Sequence, residues 1–598
     1  MTQTPILVAV AWPYANAEIH VGNLTGSYLP ADIFARYNRL RGRKVLMVSG
    51  SDSHGTPITI RADAEGTTPY EAYQRFHNGF IDLFQQIGLN YDLFTSTHTR
   101  NHFEISQKIF LALKENGFLY TDKTMQWYAP SQGRFLPDRY VEGTCYICGD
   151  TNARSDQCDK CGNLLEADKL LNPRSKVDGS TPELRETEHY YIDLGKLQPD
   201  VVAFLKERKE YWRPNVLRQS LGQMEADALR GRAITRDLDW GIPVPLDGWN
   251  GKCLYVWFEA VIGYLSASIE WAHFGSDKQE WHDWWYNPEA RAYYFIGKDN
   301  IPFHAVIWPA QLSGAGEEFS KLMDEEPHKL NLPFDVPANE FMNLESQKIS
   351  GSHNWAVWAR DFLTRYDPDP LRYYLTVNMP ETKDSDWDWE DFFHRNNDEL
   401  VATWGNLVNR VLAFTYKHWE GILPDPGVLR DTDRELLDSV KNGFISVSEH
   451  MEAVHLRAAL GEAMRLASEV NKYLDTSAPW FEIKTDKASA AKSVYTAICA
   501  IDMLKTMLAP FIPFTCEKLH TYLGYDAPLF GSQFITNVKD DLGEHNVLQY
   551  NHDGASGEWI ASELQPGRPL RQPGPLFKKL EPEIIEQERA RLGKKTPK

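Results

Sequence analysis

The 598-residue chain is 42% hydrophobic and 24% charged, a globular composition long enough for three or four structural units. No apolar run approaches the roughly 20 residues that span a bilayer, so no membrane partner is expected. A net charge of −20 excludes a uniformly basic nucleic-acid-coating surface. It leaves open a partner gripped by local positive ground.

The opening MTQTPILVAVAWPY has no basic n-region and no small-residue cleavage site. It reads as a first strand rather than a signal peptide, which makes a cytoplasmic location the expectation. Residues 5–12 form a short apolar run closed by Pro13, suited to a buried parallel strand. Tyr28–Leu40 can make a helix, and Val45–Val48 a second strand. That βαβ unit predicts an α/β fold with a parallel sheet. Phe76, Phe80, Leu83 and Ile87 follow the spacing of a covering helix. From about 116 to 235, glycine, proline, turns and a cysteine cluster replace this rhythm. Strand-like apolar runs return at 253–265 and 292–299, the latter followed by a helix-like stretch over 301–312. The simplest account is one doubly wound domain interrupted by an insertion. Beyond Asp391 the chain reads as helical to about 525, with Leu400, Trp404, Leu407, Val408 and Val411 on one apolar stripe. The last stretch ends in a charged surface helix and a frayed tail. The basic series Arg36, Arg39, Arg41, Arg43 and Lys44 reads as a solvated helix end.

Seven cysteines are too few for a disulfide scaffold, but four fall within seventeen residues. Cys145-x-x-Cys148 and Cys158-x-x-Cys161 are separated by nine residues. Each pair points two sulfurs at one point, as tetrahedral zinc requires, and Gly149 and Gly162 suit the turns that follow. Four thiolates close the coordination sphere, so the expected Zn²⁺ is structural, one per chain. Cys253, Cys499 and Cys516 lie among apolar neighbours and read as small core residues.

The first strand ends at Trp12-Pro13-Tyr14, and His20-Val21-Gly22-Asn23 follows at a helix mouth. Ligands of open α/β sheets bind at the carboxyl ends of strands, and helix N-termini favour anions. Gly22 lets an adenine ring lie on the backbone. His20 and Asn23 can both aim hydrogen bonds at a phosphate.

Together, Ala11-Trp12-Pro13-Tyr14-Ala15-Asn16 and His20-Val21-Gly22-Asn23 resemble the "HIGH" signature of class I aminoacyl-tRNA synthetases. Ser53-His54-Gly55-Thr56-Pro57-Ile58 and Phe295-Ile296-Gly297-Lys298-Asp299 resemble the methionyl members. These motifs run in order from about residue 5 to 525. The resemblance implies that L-methionine reacts with ATP (with Mg²⁺) to form an adenylate and is then passed to the terminal adenosine of tRNA(Met). By position it implies an ammonium site at Asp52 with Tyr14 and the backbone near Trp12. The methionine side chain would sit among Trp257, Ala260, Tyr264 and His304, where aromatic edges suit a thioether. ATP would meet Gly22, Asn23, Gly297, Lys298 and Asp299, with Arg236 near the reacting groups. Val261 and Asn300 depart from residues common in relatives, which bears on the pocket's fine shape.

The second signature of the family, KMSKS, is here Lys348-Ile349-Ser350-Gly351-Ser352. Lys348, Ile349 and Ser350 match, while Gly351 replaces the second lysine. The resemblance further implies an anticodon site at Asn406, Arg410 and Trp480, read by stacking and base-edge hydrogen bonds. The implied layout is a Rossmann-type catalytic domain (1–115 and 236–325), its zinc-bearing connective insertion (116–235), and a stem-contact segment with the KMSKS-like loop (326–390). A helical anticodon-binding domain (391–535) and a C-terminal extension (536–598) follow. No oligonucleotide-binding barrel is evident after residue 540, so a monomer is expected. Two alternatives stand beside this reading. One is an isoleucine, leucine or valine enzyme, which the small insertion disfavours. The other is a catalytically impaired tRNA-binding paralogue, motivated by Gly351.

Overall fold

The computed structural model describes residues 4–136, 140–155, 158, 160, 161, 165, 169–208, 210–226 and 229–594. Its central sheet has seven strands in the order Ala338–Asn339, Arg291–Gly297, Ile6–Val10, Val45–Ser51, Leu93–Ser96, Gly543–Asn551, Ser532–Asp540. The first five run parallel. Ile6, Val8 and Val10 pack into one core and Leu7 and Ala9 into another. A strand covered on both faces is apolar at every position, which is why PILVAVAW shows no alternation.

Helices cover both faces. Leu29–Leu40 and Pro69–Ile87 pack on one, and Arg100–Glu115, Gly263–Phe274 and Trp308–Ala315 on the other. The helix Pro69–Ile87 is fixed at both ends by its sequence. Thr68 and Glu71 form a reciprocal cap, and Gly88 ends the helix in the left-handed region at φ 73°. Phe76, Phe80, Leu83 and Ile87 are buried on its inner face, as their spacing predicts.

The apolar run 253–265 is strand only at Cys253–Leu254, then turns helical over Val256–Glu259 and again from Gly263. A continuous apolar run reads alike for a buried strand and a buried helix. Arg36 and Arg39 are not solvated. Arg36 pairs with Asp32 at 2.8 Å and Arg39 with Asp92 at 2.8 Å, and all four side chains are nearly inaccessible. The insertion is built on a long antiparallel pair, Leu119–Ala129 with Glu183–Ile192, rather than on turns. Finally, the strands Ser532–Asp540 and Gly543–Asn551 form a hairpin across the expected 535/536 boundary. It pairs antiparallel with Leu93–Ser96 and so extends the catalytic sheet.

Leu400, Trp404, Leu407, Val408 and Val411 are all buried. They lie on consecutive helical segments, Arg395–Gly405 and Asn406–Trp419, and face the bundle made by Asp431–Glu452, Leu456–Ser477 and Lys487–Leu508. Glu583–Arg589 is a surface helix as expected, and one of its faces docks on the segment around Trp389. Its Glu588 is buried and ion-paired to Arg365 at 2.7 Å. The last four residues of the expected frayed tail lie outside the described residues. Cys253, Cys499 and Cys516 are buried. Among the described residues no helix is long and apolar enough to cross a membrane.

Candidate active site

The chain runs outward through strands 6–10, 45–51 and 93–96 on one side of the sheet, then restarts on the other side with 291–297. The switch point therefore falls between Ile6–Val10 and Arg291–Gly297. Crevices at such points lie beyond the strands' carboxyl ends. Here that crevice is a cavity of about 470 Å³. Two of its walls, Leu24–Tyr28 and Phe303–Ile307, are π-helical turns, a geometry frequent at functional sites.

At the helix mouth, His20 and Asn23 cap one another. The Asn23 amide donates to Nδ1 of His20 at 3.3 Å, and the His20 amide donates to Oδ1 of Asn23 at 3.1 Å. Burial lowers the His20 pKa to about 4. A neutral ring whose Nδ1 accepts carries its hydrogen on Nε2. His20 is thus a neutral N–H donor at neutral pH. Gly22, Asn23, Gly297 and Asp299 line the same cavity.

The opposite end is aromatic. Trp257 stacks on Phe303 with centroids 4.6 Å apart, and Ala260 and Val261 complete the wall. The Tyr264 hydroxyl meets Nε2 of His304 at 2.7 Å, and His304 Nδ1 meets the Asn300 carbonyl at 3.0 Å. The carbonyl can only accept, so Nδ1 carries the hydrogen and Nε2 accepts from Tyr264. Burial lowers the His304 pKa to about 4. Trp12 lies between two glycines. A Cβ on Gly50 would fall 2.2 Å from its ring, and one on Gly263 2.6 Å.

Between these ends sits Asp52. Its backbone is clamped to the first strand's exit, with its amide donating to Pro13 O at 2.8 Å and its carbonyl accepting from Ala15 at 2.9 Å. The Asp52 side chain is buried, and its Oδ1 has no hydrogen-bond partner. Burial, and then the nearby Glu259, push its carboxyl well above the usual range. The His54 backbone hydrogen-bonds this carboxyl but leaves Oδ1 open. A buried polar atom left unpaired is costly, so the open oxygen suits a cation supplied by a ligand. Tyr14, whose hydroxyl donates to the His54 carbonyl, lines the cavity beside it.

Behind Asp52 lies a network that sequence reasoning missed. Glu259 is fully buried, with His54 Nδ1 at 2.8 Å and His102 Nε2 at 2.6 Å. The available signal was a single carboxylate inside the otherwise apolar run 253–265. Tyr28, Phe303, Phe341 and Asn343 also line the cavity and went unpredicted.

Lys348 is exposed and lines the cavity, and Ile349 lies over Gly22, its Cδ1 3.1 Å from where a Cβ would sit. The Lys348 loop closes through two backbone hydrogen bonds between Ser350 and Trp355, both 2.9 Å. Three expected groups, Ser350, Lys298 and Arg236, are not brought into the cavity lining. Lys298 is ion-paired with Glu340 and Asp384, each at 2.7 Å. Arg236 donates to the carbonyls of Ala233 and Thr235 and lies 3.9 Å over the Tyr255 ring.

The family model for class I tRNA synthetases (M) matches residues 6–412. The chain belongs to that family. A second model, the anticodon binding domain of methionyl tRNA ligase, matches residues 423–541. The chain is 52% identical over 587 residues to a methionine–tRNA ligase of Thermomicrobium roseum, covering 98% of both chains. It is 49% identical to that of a Roseiflexus species, covering 99% of both. A Mycobacterium tuberculosis methionyl-tRNA synthetase solved with methionyl-adenylate shares the fold, with a TM-score of 0.74 at 22% identity, covering 96% of this chain and 100% of that one.

In this class I synthetase the helical region presents one further group of expected residues. Asn406 and Arg410 are exposed, one turn apart on the helix Asn406–Trp419. The Arg410 guanidinium lies 4.4 Å over the Trp480 ring. Trp480 rests on Phe414 at 5.7 Å.

The synthetase's four clustered cysteines converge as well. The sulfurs of Cys145, Cys148, Cys158 and Cys161 all lie within 4.8 Å of one another. Cys145 and Cys161 are 4.0 Å apart, and Cys148 and Cys158 3.6 Å. A tetrahedron with ~2.3 Å metal–sulfur bonds has edges of about 3.8 Å, so the donor set fits such an ion. Gly149 takes φ 73° at its turn. Gly162 lies outside the described residues.

Proposed function

We propose that the chain is a methionine–tRNA ligase. A methionine carboxylate oxygen attacks the α-phosphorus of ATP and pyrophosphate leaves. A hydroxyl of the 3′ adenosine of tRNA(Met) then attacks the adenylate's carbonyl and AMP leaves. The observation that carries this reading is Asp52: a buried carboxyl whose Oδ1 has no hydrogen-bond partner, set between a phosphate-suited helix mouth and an aromatic wall. In the proposed assignment the methionine ammonium meets Asp52 and its thioether meets Trp257, Ala260, Tyr264 and His304. Trp12 and Tyr14 hold the amino acid between them.

ATP enters as its Mg²⁺ complex, which spreads the phosphate charge. His20 and Asn23 donate to its phosphates, and the adenine lies over Gly22 under Ile349, with Gly297, Asp299 and Ser350 beside it. Lys348 offsets charge on the leaving pyrophosphate. We assign Lys298 and Arg236 as outer supports of the same site, through Glu340 and Asp384 and through the Tyr255 ring respectively. Cys145, Cys148, Cys158 and Cys161 would hold a structural Zn²⁺. In the anticodon region a base would stack against Trp480 and Arg410, with Asn406 reading an edge. The insertion 116–235 carries the zinc site, 326–390 the Lys348 loop and 391–535 the anticodon contacts. The protein is assigned as a cytoplasmic monomer.

Pyrophosphate exchange tested against all twenty amino acids, followed by charging of tRNA(Met), decides the matter. Methionine alone should drive exchange. Exchange driven by isoleucine, leucine or valine overturns the substrate. Binding of tRNA without methionine-dependent exchange marks an impaired paralogue.

A further inference from the structure

Both limbs of the Lys348 loop are held by one short stretch at the far end of the chain. On the entering limb, Glu345 and Ser346 make a tight turn with φ 48° and 62°. The Arg589 Nε donates to Glu345 Oε2 at 3.1 Å, while Glu345 Oε1 accepts from the Trp389 amide at 3.1 Å. Arg589 also reaches Asp388 at 3.4 Å. On the leaving limb, Asn354 sits at φ 52°. Its carbonyl accepts from the Gly593 amide at 3.0 Å, and its Nδ2 donates to the Lys594 carbonyl. Non-glycine residues at positive φ persist only where their surroundings hold them.

The leaving-limb contact leads inward. Oδ1 of Asn354 accepts from the Trp358 indole at 2.7 Å, and the Trp358 ring lies 6.0 Å from that of His20. Backbone hydrogen bonds pair the same segments, Val21 to Val357 at 3.0 Å and Ala359 to Ile19 at 3.0 Å. A Cβ on Gly351 would meet the Trp358 ring at 3.1 Å. The C-terminal stretch therefore touches a residue that touches both the phosphate-site histidine's neighbour and the loop's own backbone.

We propose that residues 589–594 form a strap that sets the position of the Lys348 loop, with Arg589 and Asn354 as positioning residues for the nucleotide half-reaction. The proposal rests on the methionine-activation reading above. Gly351 places no second lysine in this loop, so its charge toward pyrophosphate rests on where Lys348 is held. Pinning both limbs reduces the loop's conformational freedom, which is what placement of a single cation demands.

The test uses the full-length protein with Arg589→Ala, Arg589→Lys, and Asn354→Gly, the last preserving the left-handed backbone while removing the side-chain tie. Hydrogen exchange of the ligand-free protein reads the strap directly. Amides of residues 345–354 should lose protection roughly tenfold in Arg589→Ala and Asn354→Gly, with the central sheet unchanged and Arg589→Lys intermediate. In methionine-dependent pyrophosphate exchange, the KM for ATP should rise about tenfold while the KM for methionine stays at its wild-type value. Unchanged protection of 345–354 overturns the proposal whatever the activity. So does an equal rise in both KM values, because that reports general loosening. Absence of exchange in the wild-type protein speaks only against the activation reading, since the protection measurement stands apart from it.

Discussion

The hydroxyl of Tyr264 donates to Nε2 of His304 at 2.7 Å, because the Asn300 carbonyl, 3.0 Å from Nδ1 and able only to accept, holds the ring hydrogen on Nδ1. Both groups are buried. Replacing Tyr264 with phenylalanine leaves a buried acceptor unpaired, at a cost of about 1–3 kcal/mol. Chemical denaturation should show that loss, and the KM for methionine should rise. A variant as stable as wild type with an unchanged KM would remove the pair from the proposed side-chain site.

The same histidine makes stability depend on pH. Its folded pKa is about 4 against an ordinary 6.5. The unfolded chain therefore binds a proton that the folded chain refuses. The contribution is complete above pH 6.5 and is lost progressively as pH falls toward 4, to a limit of about 3 kcal/mol. His20 acts in the same direction over the same window. The slope of unfolding free energy between pH 6.5 and 4 should flatten in His304→Gln, and equal slopes would contradict the assignment.

Asp52 has its carboxyl raised by burial and by Glu259. An ammonium placed against it favours the charged form, so methionine binding should release a proton. Calorimetric binding heats at one pH should then vary with the ionisation enthalpy of the buffer, and affinity should weaken as pH falls. Asp52→Asn should abolish the buffer dependence and reduce kcat/KM at least a hundredfold. Heats indifferent to buffer in the wild-type protein argue that the ammonium lies elsewhere.

Lys348 is exposed, so Lys348→Ala should leave the melting temperature alone. Removing one pre-placed charge donor from an anionic transition state costs about 10²–10³ in rate. Adenylate formation in single turnover should slow by that amount, with methionine affinity intact. A fall under threefold means other groups meet the pyrophosphate.

Cys148→Ser removes one of four converging sulfurs. Metal analysis should find zinc lost. Hydrogen exchange should find the strands Val141–Thr144 and Leu171–Ser175 deprotected while the central sheet holds. Full zinc content in the variant would rule the site out.

The residues legible in the sequence were those whose reasons are local. Ile6–Val10 announced itself by continuous apolarity, Pro69–Ile87 by Thr68 with Glu71 and Gly88, and the cysteine cluster by spacing. Trp12, Tyr14, His20, Asp52 and Tyr264 converge because they follow strand ends or line helix faces at one switch point. What stayed hidden depends on distant partners. Glu259 meets His54 across 205 residues, Lys298 is drawn to Asp384, and Arg39 finds Asp92, a carboxylate that no helix pattern displays. The hairpin 532–551 could not be assigned because its partner strand ends at Ser96.

That hairpin has a consequence for synthesis. Leu93–Ser96 leaves the ribosome about 450 residues before Gly543–Asn551 can pair with it. At roughly 5–20 residues per second the delay is on the order of half a minute to a minute and a half. Through that interval the nascent polypeptide carries an uncovered β-edge, the kind of surface to which foreign strands attach. The final stitch of the amino-terminal sheet is made by residues translated long after the strands it joins.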